Sequence, residues 1–521
     1  MHSVLNSTAG WQLARVNVFS ISVNYFYKSY THMSSLRKGA FYLLVGSAGQ
    51  SVLRVLFGAV LARLLTPEDF GLIATATIVT GFAELFVQFG FGQGLVQKKE
   101  INKADVGTAY TSSLVLGLAF GLLLVLIAPL ISSFFEQPEL TPILRLLSVL
   151  FPLKSLNQVQ FSILQRGMKF KSLAGRDVLS YAIGYGLLGI SLAYLGFGVM
   201  ALVYALLVQA VVYSILLGIS QRDYGSKFSF EKESFIELFS FGKNLTLSKI
   251  FNYAALKGDY FIVSKIMGAG PLGFYSRAYG LMNFPHNLVG SVLGTVLFAN
   301  YSRHQDNREL LTKSIKKSLN MLFFVSGPIT ISAVLLAKEL VLLLLGDKWL
   351  SAVLPFQILS LAIVFRIGYK ITGTLLKGIG RIREFVFIQL IYCAIVLVGS
   401  YIGSLYNISA VAANTGLAVT IMFFMFLGKT VQCTDYTWKE FFGTFFRASL
   451  FSFMTLLIPV LTHLFVIDEI DHPMVSLALS VGLIAFFTIT LAMNRPLSNL
   501  LGYQDLRQEL KVFFIKIHIL R

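Results

Sequence analysis

Apolar stretches long enough to cross a bilayer as helix recur from one end of this 521-residue chain to the other, and no other feature narrows its fold as far. Hydrocarbon offers no partner for a backbone amide or carbonyl, so segments of this kind must satisfy their own hydrogen bonds as helices. About fourteen are legible, at roughly 39–65, 70–96, 107–133, 140–164, 173–196, 198–219, 241–264, 272–298, 318–345, 353–377, 385–406, 408–428, 444–467 and 474–493. The composition agrees: 55% hydrophobic and 13% charged residues, with a mean hydropathy of +0.72, exclude an ordinary soluble domain. The expected fold is an all-α polytopic membrane protein.

Lysine and arginine report orientation, because short loops rich in them stay on the cytoplasmic side. One set of connections holds Arg37 and Lys38, then Lys98, Lys99 and Lys103, then Arg166, Lys169, Lys171 and Arg176, later Lys377, Arg381 and Arg383, and continues to a basic tail ending at Arg521. The alternate set is short and acidic or nearly neutral, with Glu68 and Asp69, Glu136 and Glu139, and Asp468, Glu469 and Asp471. Both termini are therefore expected in the cytoplasm. The net charge of +18 is distributed over these loops, so topology explains it and no nucleic-acid partner is expected. The two cysteines, Cys393 in a span and Cys433 in a loop, suggest neither a disulfide framework nor a metal site.

The chain repeats itself. The segment from Leu61 to Gly71, with Thr66, Pro67, Glu68 and Asp69 forming a helix start, is matched by Val263 to Gly273; the offset is 273 − 71 = 202 residues. Leu164-Gln165-Arg166 is matched by Leu376-Lys377-Gly378, at 376 − 164 = 212. About six spans separate equivalent points, an even number, so the halves should be parallel repeats with a central cavity between them. The expected division is an extension at 1–32, a six-helix lobe at 33–220, a linker at 221–233, a second lobe at 234–430, two further helices at 431–493 and a tail at 494–521. Residues 1–32 lack a signal-peptide cleavage pattern, and Met33 reads as the natural start of the first membrane unit.

Leu36-Arg37-Lys38-Gly39-Ala40, Leu61 to Gly71, Pro138-Glu139-Leu140, Leu164-Gln165-Arg166, Ser302-Arg303 with Gln305-Asp306, and Leu345-Gly346-Asp347-Lys348-Trp349 resemble the bacterial polysaccharide exporters. These are the O-antigen and colanic-acid flippases, of the superfamily that also holds drug/sodium antiporters and the peptidoglycan lipid flippase. The resemblance runs from Ser35 to about Arg447. It implies transport of an undecaprenyl-pyrophosphate-linked oligosaccharide repeat unit, by alternating access of two six-helix lobes, for surface polysaccharide synthesis. It also implies work beside a polysaccharide polymerase and its chain-length machinery. The seventh span reads Ala255-Leu256-Lys257-Gly258-Asp259, where the family often has Asn and Arg before the aspartate.

Ionisable groups deep in a span are costly and normally face a cavity or a partner. Arg54, Arg366 and Lys370, with Lys249, Lys257 and Arg277, form a candidate cationic cavity for a pyrophosphate. Pairing with carboxylates or snorkelling to an interface is the plainer account of the same residues. Lys154 and Arg145 read as interface or packing residues. Glu84 and His286 are repeat-equivalent, since 286 − 84 = 202, and with Asp259 are candidates for proton or sodium coupling.

Other motifs carry nothing. Gly184-Tyr185-Gly186-Leu187-Leu188-Gly189 has the letters of a dinucleotide fingerprint, but it lies inside a span and is better read as close helix packing. No histidine pair has zinc spacing, and no nucleophile elbow is present, so neither an enzyme nor a bound cofactor is expected. The alternatives are a multidrug or other lipid exporter of the same fold, and a membrane polymerase or glycosyltransferase.

Overall fold

The computed structural model describes residues 46–47, 49–219 and 228–462, with 482–483, 488–491 and 493–494 beyond them. The extension 1–32, most of the linker, most of the last expected span and nearly all of the tail lie outside the described residues. No strand occurs among the described residues.

Helix α1 occupies 49–64. A capping box then opens α2, Pro67–Gln88: the Asp69 amide donates to Thr66 Oγ1 at 3.2 Å, and the Thr66 amide donates to the Asp69 carboxylate at 2.9 Å. After the short α3, Phe91–Gln97, Asn102 and Asp105 cap α4, Lys103–Phe135, in the same way. The next span is α5, Leu140–Leu147, continued by α6, Leu150–Arg166. Helix α7, Phe170–Tyr181, passes through a π-helical stretch, Ala182–Gly189, into α8, Ile190–Tyr194, and α9 is Val199–Gly218. The long α10, Lys232–Met267, and α11, Ala269–Arg303, follow. Then come α12, Arg308–Leu335, α13, Ala337–Leu344, a 3₁₀ turn at Asp347–Ala352, α14, Val353–Leu361, and α15, Ile363–Gly378. Helices α16, Ile382–Ser404, α17, Ile408–Cys433, and α18, Trp438–Thr462, complete the described chain.

Seven spans among the described residues are long and apolar enough to cross a membrane, or eight if α14 and α15 are one bent span. The sequence reading counted more: α10 and α11, at 36 and 35 residues, are long enough but carry polar groups through their middles, the fourth span is divided between α5 and α6, and the first and the last two run partly outside the described residues. It also expected 318–345 and 353–377 to be continuous. Instead α12 ends at Leu335 with α13 as a separate turn of helix, and the tenth span bends by 41° around Ala362. The break between α5 and α6 recurs here, at 362 − 149 = 213 residues, so the kink belongs to the repeat. The glycines of the supposed nucleotide fingerprint lie in the π stretch. A Cβ on Gly184 would meet Ala205 O at 2.7 Å, and one on Gly186 would meet the Phe57 ring at 2.7 Å, so both sites serve packing.

The two halves meet in a reciprocal contact. A Cβ on Gly71 would lie 1.8 Å from Ala269 O, and a Cβ on Gly273 would lie 1.8 Å from Pro67 O. The repeat offset carries 71 to 273 and 67 to 269, so each contact is the two-fold image of the other. The pattern extends around it. Trp349 Nε1 donates to Ala62 O at 2.8 Å, while Gln137 Nε2 donates to Ser264 O at 3.3 Å, and 264 − 62 = 202. Arg63 reaches across to Leu343 O, and its counterpart Lys265 reaches back to Glu136 at 2.6 Å. That ammonium holds the Glu136 carboxyl below the usual carboxylate range.

Helix α10 lies parallel to α4 and is tied to it at both ends, by Lys265 with Glu136 at one and by Ser234 with Asp105, at 2.8 Å, at the other. There Lys98 also bridges Glu237 at 2.7 Å and Asp105 at 2.9 Å, and these carboxylates hold its ammonium above the usual lysine range. With its other flank on α16, α10 is shared between the halves. Because neither glycine has room for a methyl group, Gly71→Ala or Gly273→Ala should each destabilise the protein by about 1–3 kcal/mol. The check is the thermal midpoint in detergent, and an unchanged midpoint for both would remove the glycine seam from the account.

Candidate functional site

Two adjoining cavities open where α10 and α11 face the rest of the bundle. The smaller, about 520 Å³, lies between the halves and is lined by Arg54 of α1, Lys257 of α10 and Arg277 of α11, with Tyr181 and Tyr185 opposite. The larger, about 1230 Å³, lies among α10, α11, α15 and α16 and is lined by Lys249, Arg366, Lys370, Lys377 and His286. Asn283 and Asn287 of α11 belong to both walls. All six basic residues expected at a cationic cavity therefore line one or other of these spaces. Lys377 was read from the sequence as a loop charge. It is seven residues after Lys370, two helical turns along the same face, and that spacing was the signal for it.

Aromatic faces hold much of this charge in place. Arg277 Cζ sits 4.3 Å from the centroid of Phe70, Lys257 Nζ 4.2 Å from Tyr260, Arg366 Cζ 4.8 Å from Tyr279 and Lys377 Nζ 4.6 Å from Phe385. Arg54 lies farther off, 5.9 Å from Tyr181. A ring quadrupole stabilises a cation without cancelling its charge, whereas a carboxylate would neutralise it. No carboxylate lines either cavity among the described residues. Arg366 is only 5% exposed; its guanidinium donates to Tyr279 Oη at 2.5 Å, and its Nε has no partner.

The coupling candidates separate. Glu84 lines no described cavity and forms an ion pair with Lys154, so Lys154, read from the sequence as an interface or packing residue, is a charge partner. Asp259 is buried at 2% exposure and accepts from Tyr275 Oη at 2.7 Å, with its charge felt at Lys257 and Arg366. His286 alone of the three faces a cavity, and its Nδ1 has no partner. The repeat makes Glu84 and His286 equivalent along the chain, yet their surroundings differ. Asp177, unremarked in the sequence, lies within electrostatic reach of Arg54.

A third cavity, about 750 Å³ and almost wholly apolar, lies between α2, α4 and α10 under Phe82, Phe86, Phe120 and Phe134. Lys257 lines it as well as the cavity between the halves. An apolar groove thus meets a cationic chamber at one lysine.

Residues 60–354 match a family described as polysaccharide biosynthesis protein. The chain is 23% identical over 346 residues to the teichuronic acid biosynthesis protein TuaB of Bacillus subtilis, covering 66% of this chain and 72% of that one. It is 26% identical over 383 residues to the succinoglycan biosynthesis transport protein ExoT of Rhizobium meliloti, covering 73% and 75%. Among solved structures, the lipid II flippase MurJ in an inward closed conformation superposes with a TM-score of 0.69 at 16% identity, over 87% of this chain and 97% of that one. That likeness establishes the polytopic helical fold.

If Glu84 serves structure, Glu84→Gln and Lys154→Met should each lower the thermal midpoint, and the double variant should recover part of the loss, with a coupling of about 0.5–3 kcal/mol. Additive losses would show that the two charges do not support one another.

Proposed function

The chain belongs to the polysaccharide biosynthesis protein family, and from that premise we propose that it is a flippase for an undecaprenyl-pyrophosphate-linked oligosaccharide. The repeat unit crosses the bacterial inner membrane by alternating access and enters the assembly of a surface polysaccharide. The observation that carries this reading is the pair of cation-lined cavities with no carboxylate on their described walls. A pyrophosphate leaving water loses strong hydration, and fixed guanidinium and ammonium groups replace it with charge-assisted hydrogen bonds. Three cations from three helices, Arg54, Lys257 and Arg277, converge on the smaller cavity and are assigned to the pyrophosphate. The apolar groove that shares Lys257 suits the prenyl chain, which keeps its contact with hydrocarbon while the head group is inside. The larger cavity, bordered by Asn283, Gln389 and Tyr392, has the volume and the hydrogen-bonding groups for sugars.

The same walls disfavour export of a cationic drug, which requires negative charge where this protein has positive. Polymerase chemistry finds no acidic pair in either lining. The alternation of basic and acidic loops supports cytoplasmic termini, so the glycine seam would close the periplasmic side. On that arrangement the cargo enters from the cytoplasm and is handed to polymerase and chain-length proteins beyond. We assign coupling to a proton gradient to His286, the one coupling candidate on a described cavity wall, since a sodium ion would meet the same positive charge that disfavours a cationic drug.

Proteoliposomes containing a fluorescent undecaprenyl-pyrophosphate oligosaccharide test the reading. Wild type should move it between leaflets, and Arg54→Ala, Lys257→Ala and Arg366→Ala should each slow movement about tenfold or more at equal reconstitution, the loss of one charge-assisted contact. No movement by folded wild-type protein would overturn the assignment.

A further inference from the structure

We propose that the larger cavity is a second anion site, and that the oligosaccharide carried by this protein bears an anionic substituent on its sugars, either a uronic carboxylate or a phosphate ester. The inference rests on the flippase reading and adds the chemical class of the glycan.

Three facts lead to it. First, the positive charge is extended. Arg366, Lys370 and Lys377 lie on one face of α15, and eleven residues of helix separate the first from the last, a rise of about 16 Å. A pyrophosphate, two phosphorus atoms joined through one oxygen, is too short to meet all three. Lys249 adds a fourth cation from α10. Second, the pyrophosphate already has a set of three cations in the neighbouring cavity. Third, the larger cavity holds unspent hydrogen-bonding capacity. Arg366 and His286 are each 5% exposed, both face the cavity, and Arg366 Nε and His286 Nδ1 have no partner.

Arg366 is buried, Lys249 and Lys370 are half-buried and Lys377 is exposed at the end of the row, so the repulsion among these like charges grows with depth and an anion that enters relieves it. Asp259 acts on Arg366 from behind the wall, where it accepts from Tyr275, but it lines neither cavity and can meet none of the lysines along the row. Entry of a neutral glycan would displace water from four cations and put nothing in its place. An acidic glycan supplies the missing charge, while Asn252, Asn283 and Gln389 meet its hydroxyls and Tyr369 offers a ring face to a sugar. Selectivity follows from this unpaired charge, because a site built around ionic partners rejects an analogue that lacks them.

The experiment measures transport in proteoliposomes of three undecaprenyl-pyrophosphate trisaccharides differing at one sugar: a glucuronate, its methyl ester and a sugar phosphate. Wild type should carry at least one anionic form about tenfold faster than the neutral ester, and the faster anionic arm identifies the substituent. In the double variant Lys370→Gln/Lys377→Gln the ratio of anionic to neutral rates should fall about tenfold, and in Lys370→Arg it should persist. Arg54→Gln, in the other cavity, should slow all three arms and leave the ratio intact. Wild-type rates for both anionic forms no higher than that of the neutral ester would overturn the proposal while leaving the flippase assignment standing. So would an unchanged ratio of anionic to neutral rates in a double variant whose thermal midpoint and reconstitution match those of wild type. Failure of wild type to move any arm would instead remove the flippase reading, and this inference with it.

Discussion

Everything in this bundle is arranged around a backbone contact that permits no side chain. At Gly71 and Gly273 the helices α2 and α11 approach so closely that a single methyl group would overlap the facing carbonyl. Helices in lipid gain little from hydrophobic association, since the surrounding tails are as apolar as their own side chains, and close packing through small residues supplies the adhesion instead. Here the contact also sets the symmetry. Trp349 with Ala62, Gln137 with Ser264, Arg63 with Leu343 and Lys265 with Glu136 are arranged around it as approximate two-fold images. The halves are joined tightly along this seam and diverge away from it, which is where the cavities lie.

The seam combines a buried apolar cluster that runs through both halves with close backbone approach, single hydrogen bonds and one exposed ion pair, and these polar ties are the ones that must break when the halves rock. The other attachment differs in kind. Lys98, Asp105, Glu237 and Ser234 tie the start of α10 to the first half through a charged cluster. Helix α10, which carries Lys249 and Lys257, is thereby held by the first half while packing on the second. A helix shared in this way translates relative movement of the halves into displacement of the cations it bears.

The chamber charges pose an electrostatic problem that the fold solves without neutralising them. Rings of Phe70, Tyr260, Tyr279 and Phe385 lie beneath Arg277, Lys257, Arg366 and Lys377. This keeps positive potential available to a cargo and explains the dense aromatic packing on α10 and α11, where Tyr260, Tyr275 and Tyr279 pack edge to face. The same logic separates cationic groups that serve the cavities from those that serve the scaffold. Lys154 is spent on Glu84, and Arg166 is spent on the carbonyls of Leu95 and Val96 that end α3.

What the chain alone determined was its solvent, its helical content, its internal repeat and the residues worth watching. Hydrophobic length and the cost of unpaired backbone in lipid leave only one class of structure, and an offset of 202 residues can be counted without coordinates. The six basic residues were legible for the same reason, since a charge within a span must have a purpose. Tertiary structure alone decided how those charges are divided. Whether a span's cation meets a carboxylate, a ring or an empty space depends on which helix faces it, and spacing along one helix carries no information about its neighbours. Hence Lys377 passed for a loop charge and Lys154 for an interface or packing residue, the pairing of Glu84 with Lys154 was hidden, and the split of one expected cavity into two emerged only when α10 and α11 were seen to face α1 on one side and α15 and α16 on the other.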